Sequence, residues 1–124
     1  MTIRALLDTA MTEAQFQDTV IELAQRMGWR VAHFRPARTD KGWRTPVSAD
    51  GKGFPDLVLI RGGFIIFAEL KSSSGKLTID QRLWLMDLRK AQQGAPFSVS
   101  VRVWRPGDWD EIERALTNNE GKRP

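Results

Sequence analysis

The chain has 124 residues and no cysteine, which excludes a disulfide framework, a thiolate metal site and a cysteine nucleophile. A single histidine excludes an all-histidine zinc site, and no apolar run approaches the roughly 20 residues of a membrane span. Lysine and arginine total 19 against 15 acidic residues, a net charge of +4. This balance suits either a phosphate-rich partner or a soluble protein that is merely basic. We expect one intracellular domain spanning residues 1–124, with no membrane segment.

The first predicted helix follows a loose lead-in of residues 1–11. Thr12 and Gln15 have the spacing of a capping box. Apolar residues recur at helical spacing up to Gly28, which suits a helix C-terminus. Alternation from Trp29 to Arg35 then predicts a strand.

Residues 36–52 form the next predicted segment, a mobile basic loop. Prolines, glycines and the lack of periodicity argue against regular structure there. Several candidate DNA contacts lie in or beside it, with the basic side chains tracking phosphates and the tryptophan stacking on a base. They are Arg35, Arg38, Lys41, Trp43, Arg44 and Lys52. The alternative is a solvated loop without a partner.

The remaining elements complete an order of α-β-β-β-α-β-α. A predicted hairpin pairs the run from Leu57 with the strand Phe64 to Lys71 across Gly62-Gly63. A second capping box, Thr78 with Gln81, begins a helix with a broad apolar face that ends at Gly94. The last predicted elements are a strand over 97–103, a short helix capped by Asp108 with Glu111, and a frayed tail, 117–124. A hairpin followed by a strand-helix-strand crossover predicts an α/β fold, with a mixed sheet flanked by helices, and a core over about 12–116.

Asp56, Glu69 and Lys71 carry the chemistry. Residues two apart on a strand share a face, so Glu69 and Lys71 point the same way, about 7 Å apart along the strand. Asp56 begins the paired strand and can join them, with the backbone carbonyl of Leu70 beside them. Two carboxylates and a carbonyl make the all-oxygen site that Mg²⁺ or Mn²⁺ prefers. The alternative is a plain Glu–Lys ion pair at a strand end.

The sequence of five features resembles the VRR-NUC branch of the PD-(D/E)xK nucleases, which is akin to archaeal Holliday-junction resolvases. In chain order they are Glu13, Gly53-Phe54-Pro55-Asp56-Leu57, Gly62-Gly63, Glu69-Leu70-Lys71 and Gln81. The resemblance runs from Thr12 to about Leu116. It implies a restriction-endonuclease-like core.

The resemblance also implies roles for these residues. Asp56 and Glu69 would hold Mg²⁺, and Lys71 would be the catalytic lysine. Glu13 would be an auxiliary carboxylate that binds metal directly or through water, although an acidic residue in a first helical turn also complements the helix dipole. Gln81 would support the site from its helix N-terminus while keeping its capping role.

Further residues have weaker claims. Gln17 lies one turn after Glu13 on the same face and would position it or contact a phosphate. Ser72 and Lys76 follow the catalytic strand and would offer groups to phosphate, or lie in a linker only. His33 is expected to be a packed or surface histidine.

The resulting hypothesis is a Mg²⁺-dependent DNA endonuclease, with Mn²⁺ as a substitute, that hydrolyses phosphodiester bonds in branched, flap or junction DNA. It would act in the cytoplasm of a bacterium or a phage-infected cell, and a two-fold homodimer would suit a junction. The alternatives are a non-catalytic DNA-binding or assembly module with the same fold, and an RNA-directed nuclease.

Overall fold

The computed structural model describes residues 11–34, 37–40, 42–44 and 48–118, excepting the side chains of 37–39, 43 and 44. Its helices are α1 (Glu13–Arg26), α2 (Ile79–Gly94) and α3 (Trp109–Thr117), with a 3₁₀ turn over Pro106–Asp108. Its strands are β1 (Arg30–His33), β2 (Ala37–Thr39), β3 (Gly42–Arg44), β4 (Leu57–Arg61), β5 (Phe64–Leu70) and β6 (Val99–Trp104). Residues 1–10 of the predicted lead-in, and the tail beyond residue 118, lie outside the described residues. No helix in the described part of the chain is long and apolar enough to cross a bilayer.

Four strands form a mixed sheet in the order β1-β4-β5-β6. The pairs β1–β4 and β4–β5 are antiparallel, whereas β5 and β6 are parallel and joined by the α2 crossover. The predicted mixed α/β sheet with flanking helices is therefore confirmed.

One face of the sheet packs against α1 and α3. The buried residues of this core include Phe16 and Val20 from α1, Ile112 and Leu116 from α3, and Trp104 from β6. The strands add Leu57, Leu59, Ile66, Ala68 and Leu70. Within each strand these residues recur at every second position because alternate side chains of a strand share a face.

Arg61 is buried at the end of β4. Its guanidinium donates to the carbonyls of Met27 and Leu116 at 3.0 Å and of Asn118 at 2.6 Å, and lies over the Trp29 ring. The side chain thus satisfies free carbonyls at the ends of α1 and α3, which joins both helices to the sheet.

The two predicted capping boxes are present. Thr12 with Gln15 begins α1, and Thr78 with Gln81 begins α2. The predicted cap of α3 is wrong: the Asp108 side chain makes no cap bond to α3 and instead accepts from the Arg105 backbone N–H at 2.9 Å. The intervening 3₁₀ turn changes the geometry, and Glu111 pairs with Arg102.

The predicted loop over 36–52 is corrected in two places. Strands β2 and β3 pair as a short antiparallel hairpin, which Gly42 allows at its turn with φ of +97°. Further on, the Trp84 indole N–H donates to the Asp50 carbonyl at 2.9 Å. The end of the segment therefore lies against α2.

Two apolar predictions near α2 are also corrected. None of the residues expected on the apolar face of α2 is fully buried; they are Ile79, Leu83, Trp84, Met86, Leu88 and Ala91. Ile79 is 68% exposed, and the helix buries Leu85 instead, because one helix covers that side of the sheet only in part. Trp84 is half-buried. Phe97 is 82% exposed, because a turn from Ala95 to Ser98 delays the start of β6 to Val99.

Candidate active site

The candidate site lies where the loop before β4 meets the end of β5 and the N-terminus of α2. Asp56 ends that loop and is held on two sides. Its Oδ2 accepts a hydrogen bond from the Leu70 N–H at 2.9 Å, and its backbone carbonyl accepts from the Phe34 N–H at 2.9 Å. The carboxylate is thus anchored to β5, and the backbone to the exit of β1.

Glu69 is the buried centre of the site, with 1% of its surface exposed. Its Oε1 accepts a hydrogen bond from Gln81 Nε2 at 3.1 Å. Its Oε2 is buried and has no donor within the described part of the chain. A buried carboxylate oxygen without a partner is costly, so this atom can take a cation or a proton.

Gln81 has two roles. Its Oε1 accepts from the Thr78 backbone N–H at 2.8 Å, which completes the capping box, while its Nε2 donates to Glu69. The predicted combination of helix capping and site support is therefore present. Because each end of the amide has its own partner, the capping box orients the donor toward Glu69.

The electrostatics of Glu69 show which groups surround it. Burial, followed by the charge and hydrogen bond of Asp56, raises the pKa of Glu69 from its ordinary 4.5 to about 9. The Lys71 ammonium opposes this shift in pKa, and the Glu13 carboxylate adds to it weakly. Each effect requires proximity, so the structure brings Asp56, Lys71 and Glu13 around Glu69.

The arrangement fits a divalent cation. Asp56 and Glu69 lie close enough to share a proton, and a cation between them would replace that proton and partner Oε2 of Glu69. Within the described residues no three acidic or imidazole groups converge as a metal cluster, so two carboxylates would need other oxygens. The Leu70 N–H points to Asp56, and its carbonyl faces the same strand edge.

Gly53 has a packing role that the sequence pattern did not explain. A Cβ there would lie 2.5 Å from the backbone carbon of Asp80 and 2.7 Å from the Gln81 nitrogen, and its φ is +85°. Only glycine allows this approach of the loop to α2. The next residue, Phe54, makes edge contacts with Phe34, Phe67 and Trp84, which fix the loop that presents Asp56.

Arg105 is a second contributor that the sequence reasoning missed. Its Nη1 donates to the carbonyls of Ser72 and Gly75, both at 2.7 Å. Gly75 in turn lies against the Lys71 side chain, since a Cβ there would be 3.5 Å from Lys71 Cδ. Arg105 therefore holds the turn that follows Lys71. Only the fold could reveal this, because 30 residues separate Arg105 from Gly75.

The structure describes the side chains of only some of the predicted DNA contacts. The side chains of Arg35, Arg38, Lys41, Trp43 and Arg44 lie outside the described residues. Lys52 is exposed and pairs with Asp80 at 3.5 Å. Ser72 lies in the turn held by Arg105, Lys76 is exposed, and Gln17 is half-buried one turn after Glu13. His33 is half-buried in β1.

Two comparisons with known proteins identify no relative of this chain. No family model matches the chain, and a search among curated proteins finds no match. The resemblance to VRR-NUC nucleases therefore stays a prediction from the sequence motifs.

Proposed function

We propose that this chain is a divalent-metal-dependent DNA endonuclease with a PD-(D/E)xK core of the VRR-NUC type. The observation that carries the proposal is the buried Glu69 carboxylate, one oxygen of which lacks a donor, beside Asp56. Two adjacent carboxylates, one of them buried, destabilise a fold unless a cation or proton separates them. The helices and the four-stranded sheet follow the predicted α-β-β-β-α-β-α order, with the β2–β3 hairpin inserted between β1 and β4. This order and the positions of Asp56, Glu69 and Lys71 along the β4–β5 hairpin support the assignment.

The position of each residue in the site suggests its role in the proposed reaction. Asp56 and Glu69 would hold Mg²⁺ or Mn²⁺, with the Leu70 carbonyl as a third oxygen and Glu13 acting through water. When bound, such an ion supplies positive charge that favours deprotonation of water and stabilises the charge growing on the phosphate.

Lys71 would act beside the carboxylates in the direct attack of water on the phosphodiester. Its ammonium can donate to a phosphate oxygen or orient the attacking water. Gln81 fixes the rotamer of Glu69, and Arg105 holds the turn beyond Lys71. These two are positioning residues rather than catalytic ones.

The substrate we propose is branched, flap or junction DNA in the cytoplasm of a bacterium or a phage-infected cell. We also propose a two-fold homodimer, since a junction presents two related strands. Sedimentation velocity at several protein concentrations tests the dimer, and a single monomeric species throughout would contradict it.

The deciding experiment compares labelled linear, flap and four-way-junction DNA with and without Mg²⁺ or Mn²⁺. We expect metal-dependent cleavage that Asp56→Asn and Glu69→Gln abolish. Both variants should fold, because the amide oxygen introduced by each substitution can still accept the hydrogen bond that Leu70 or Gln81 donates. Calorimetric titration should show weaker Mn²⁺ binding in both.

Matched controls are Asp18→Asn and Glu22→Gln, the same chemical changes at exposed positions of α1. They should cleave and bind Mn²⁺ like the parent. Cleavage retained in both site variants would place the active site elsewhere. DNA binding without cleavage in either metal would instead favour the non-catalytic binding module, and preferred cleavage of RNA the RNA-directed nuclease.

A further inference from the structure

A basic groove runs along α2, outside the site formed by Asp56 and Glu69. It has a volume of about 310 Å³. Its apolar lining is Leu77, Leu85 and Met86, and its cations are Arg82, Arg89 and Lys90. Gln93 completes the lining, which contains no carboxylate among the described residues. The groove therefore combines an apolar floor with three positive charges.

These cations are available to an outside ligand. All three side chains are exposed. The ion pairs within the described residues join other groups: Arg26–Glu22, Lys52–Asp80 and Arg102–Glu111. The acidic residues of α2, Asp80 and Asp87, each precede an arginine by two positions, which places them about 200° away around the helix. Neither arginine has an acidic residue three or four positions away on α2. Asp87 lies three residues before Lys90, but the two side chains form no ion pair.

The groove begins beside the candidate active site. Gln81, which donates to Glu69, immediately precedes Arg82. Arg89 lies seven residues further, about 10 Å along the helix axis. A chain of phosphates that reached Arg82 would therefore leave the site along this helix. A groove of about 310 Å³ can enclose part of one strand, whereas a duplex could contact only the exposed cations at its rim.

We propose that this groove binds a single-stranded segment of DNA adjoining the bond that is cleaved at Asp56 and Glu69. The inference rests on the proposed function, and it narrows the substrate to DNA with a single-stranded arm. Arg82, Arg89 and Lys90 contact phosphates, while the apolar floor contacts sugars and base faces. Binding is tolerant of sequence, since backbone contacts carry no base information.

The test measures binding of a 5′-fluorescein-labelled 15-nucleotide DNA strand by anisotropy in metal-free buffer over a range of salt. The triple variant Arg82→Gln, Arg89→Gln, Lys90→Gln should bind at least ~10-fold more weakly. Its slope of log affinity against log salt should flatten by about 0.7 for each phosphate that is no longer neutralised. The single variant Arg89→Gln should flatten the slope by about one phosphate's share, which keeps the test valid if the triple variant folds poorly.

The control removes the same charge elsewhere, with Arg26→Gln, Arg30→Gln and Arg114→Gln. These exposed residues lie outside the groove lining, so affinity should stay within about threefold. Equal weakening in both triple variants would show that only net charge matters. An unchanged groove variant, a parent that does not bind the strand, or tighter binding of an RNA strand of the same sequence would each overturn the inference.

The outcomes separate this inference from the proposed function. If the protein cleaves DNA with Mg²⁺ but the groove variant binds the strand normally, the proposed nuclease function is supported and the proposed role of the groove is contradicted. If the groove variant binds the strand weakly but the parent cleaves no DNA with Mg²⁺ or Mn²⁺, the role of the groove in binding is supported and the nuclease function is contradicted.

Discussion

Among single residues, Lys71 has the most direct expected effect on rate. It follows the last residue of β5, and its charge acts on the neighbouring Glu69. Lys71→Ala should lower kcat by at least ~100-fold, the lower range for a positioned acid-base or electrostatic group. Lys71→Arg should not restore activity, because arginine is larger and stays protonated. Single-turnover cleavage measures both; full activity in the alanine variant would reduce Lys71 to an ion-pair partner.

Gln81 allows its two roles to be separated. Gln81→Glu keeps an acceptor for the Thr78 N–H but replaces the donor to Glu69 with a carboxylate. Cleavage and Mn²⁺ affinity should therefore change while α2 remains capped. Thr78→Ala is the complementary control: it should cost about 1 kcal/mol in unfolding free energy and leave cleavage nearly intact. If the two variants had the same profile, Gln81 would matter only as a cap.

The raised pKa of Glu69 predicts how the unfolding free energy depends on pH in the absence of metal. The pKa of this carboxyl is about 9 in the folded protein, whereas its ordinary pKa is 4.5. Between these values the unfolded chain binds fewer protons, so the unfolding free energy falls as pH rises, by at most about 1.4 kcal/mol per pH unit. The contribution of the Glu69 proton to the unfolding free energy is complete below pH 4.5 and lost above about 9.

Urea denaturation from pH 5 to 8.5, roughly the range over which this proton is lost on unfolding, tests this dependence. Glu69→Gln should flatten the curve and be more stable than the parent at the alkaline end, because it cannot ionise. Mg²⁺ should stabilise the parent there more than the variant, since it binds the folded state. Parallel curves would mean that Glu69 is not held protonated.

Among the elements, the loop before β4 depends on its contact with α2. Gly53→Ala should lower the unfolding free energy by about 2–4 kcal/mol, combining the positive φ with a steric clash against Asp80 and Gln81. Gly63→Ala is the matched control, because no atom lies within 4 Å of a Cβ there; its effect should be under about 0.5 kcal/mol. Equal effects in denaturant titrations would show that the close approach is not maintained.

For the molecule as a whole, the segment 36–52 should contribute DNA affinity rather than chemistry. With Arg35, the range 35–52 holds five basic residues and two Asp, a net +3 of the chain's +4. Neutralising Arg38, Lys41 and Arg44 should weaken duplex binding and flatten its salt slope by up to about 0.9 for each phosphate released. Turnover at saturating substrate should change little, because the carboxylates lie on the β4–β5 hairpin. Loss of turnover with normal affinity would contradict this division.

The elements of this protein follow from local signals in its sequence. Capping boxes at Thr12 and Thr78 determine where α1 and α2 begin, because each satisfies free N–H groups within three residues. Two runs joined by the Gly62-Gly63 turn predicted the β4–β5 hairpin, and with it the positions of Asp56, Glu69 and Lys71. Local signals failed at Asp108, where a 3₁₀ turn intervenes, and on α2, where apolar spacing predicted burial that a single covering helix does not provide.

The arrangement of the site required tertiary structure, because its determining contacts join residues far apart in the chain. The approach of Gly53 to Asp80, the hold of Arg105 on Ser72 and Gly75, and the Arg61 bonds to two helix ends each span about 27 residues or more. The hydrogen bond to Glu69 likewise comes from Gln81, on the helix that crosses over after β5. The order of residues alone specified which carboxylates are present and which strands carry them. Packing then decided that Glu69 is buried, lacks a donor for one carboxylate oxygen, and lies beside Asp56.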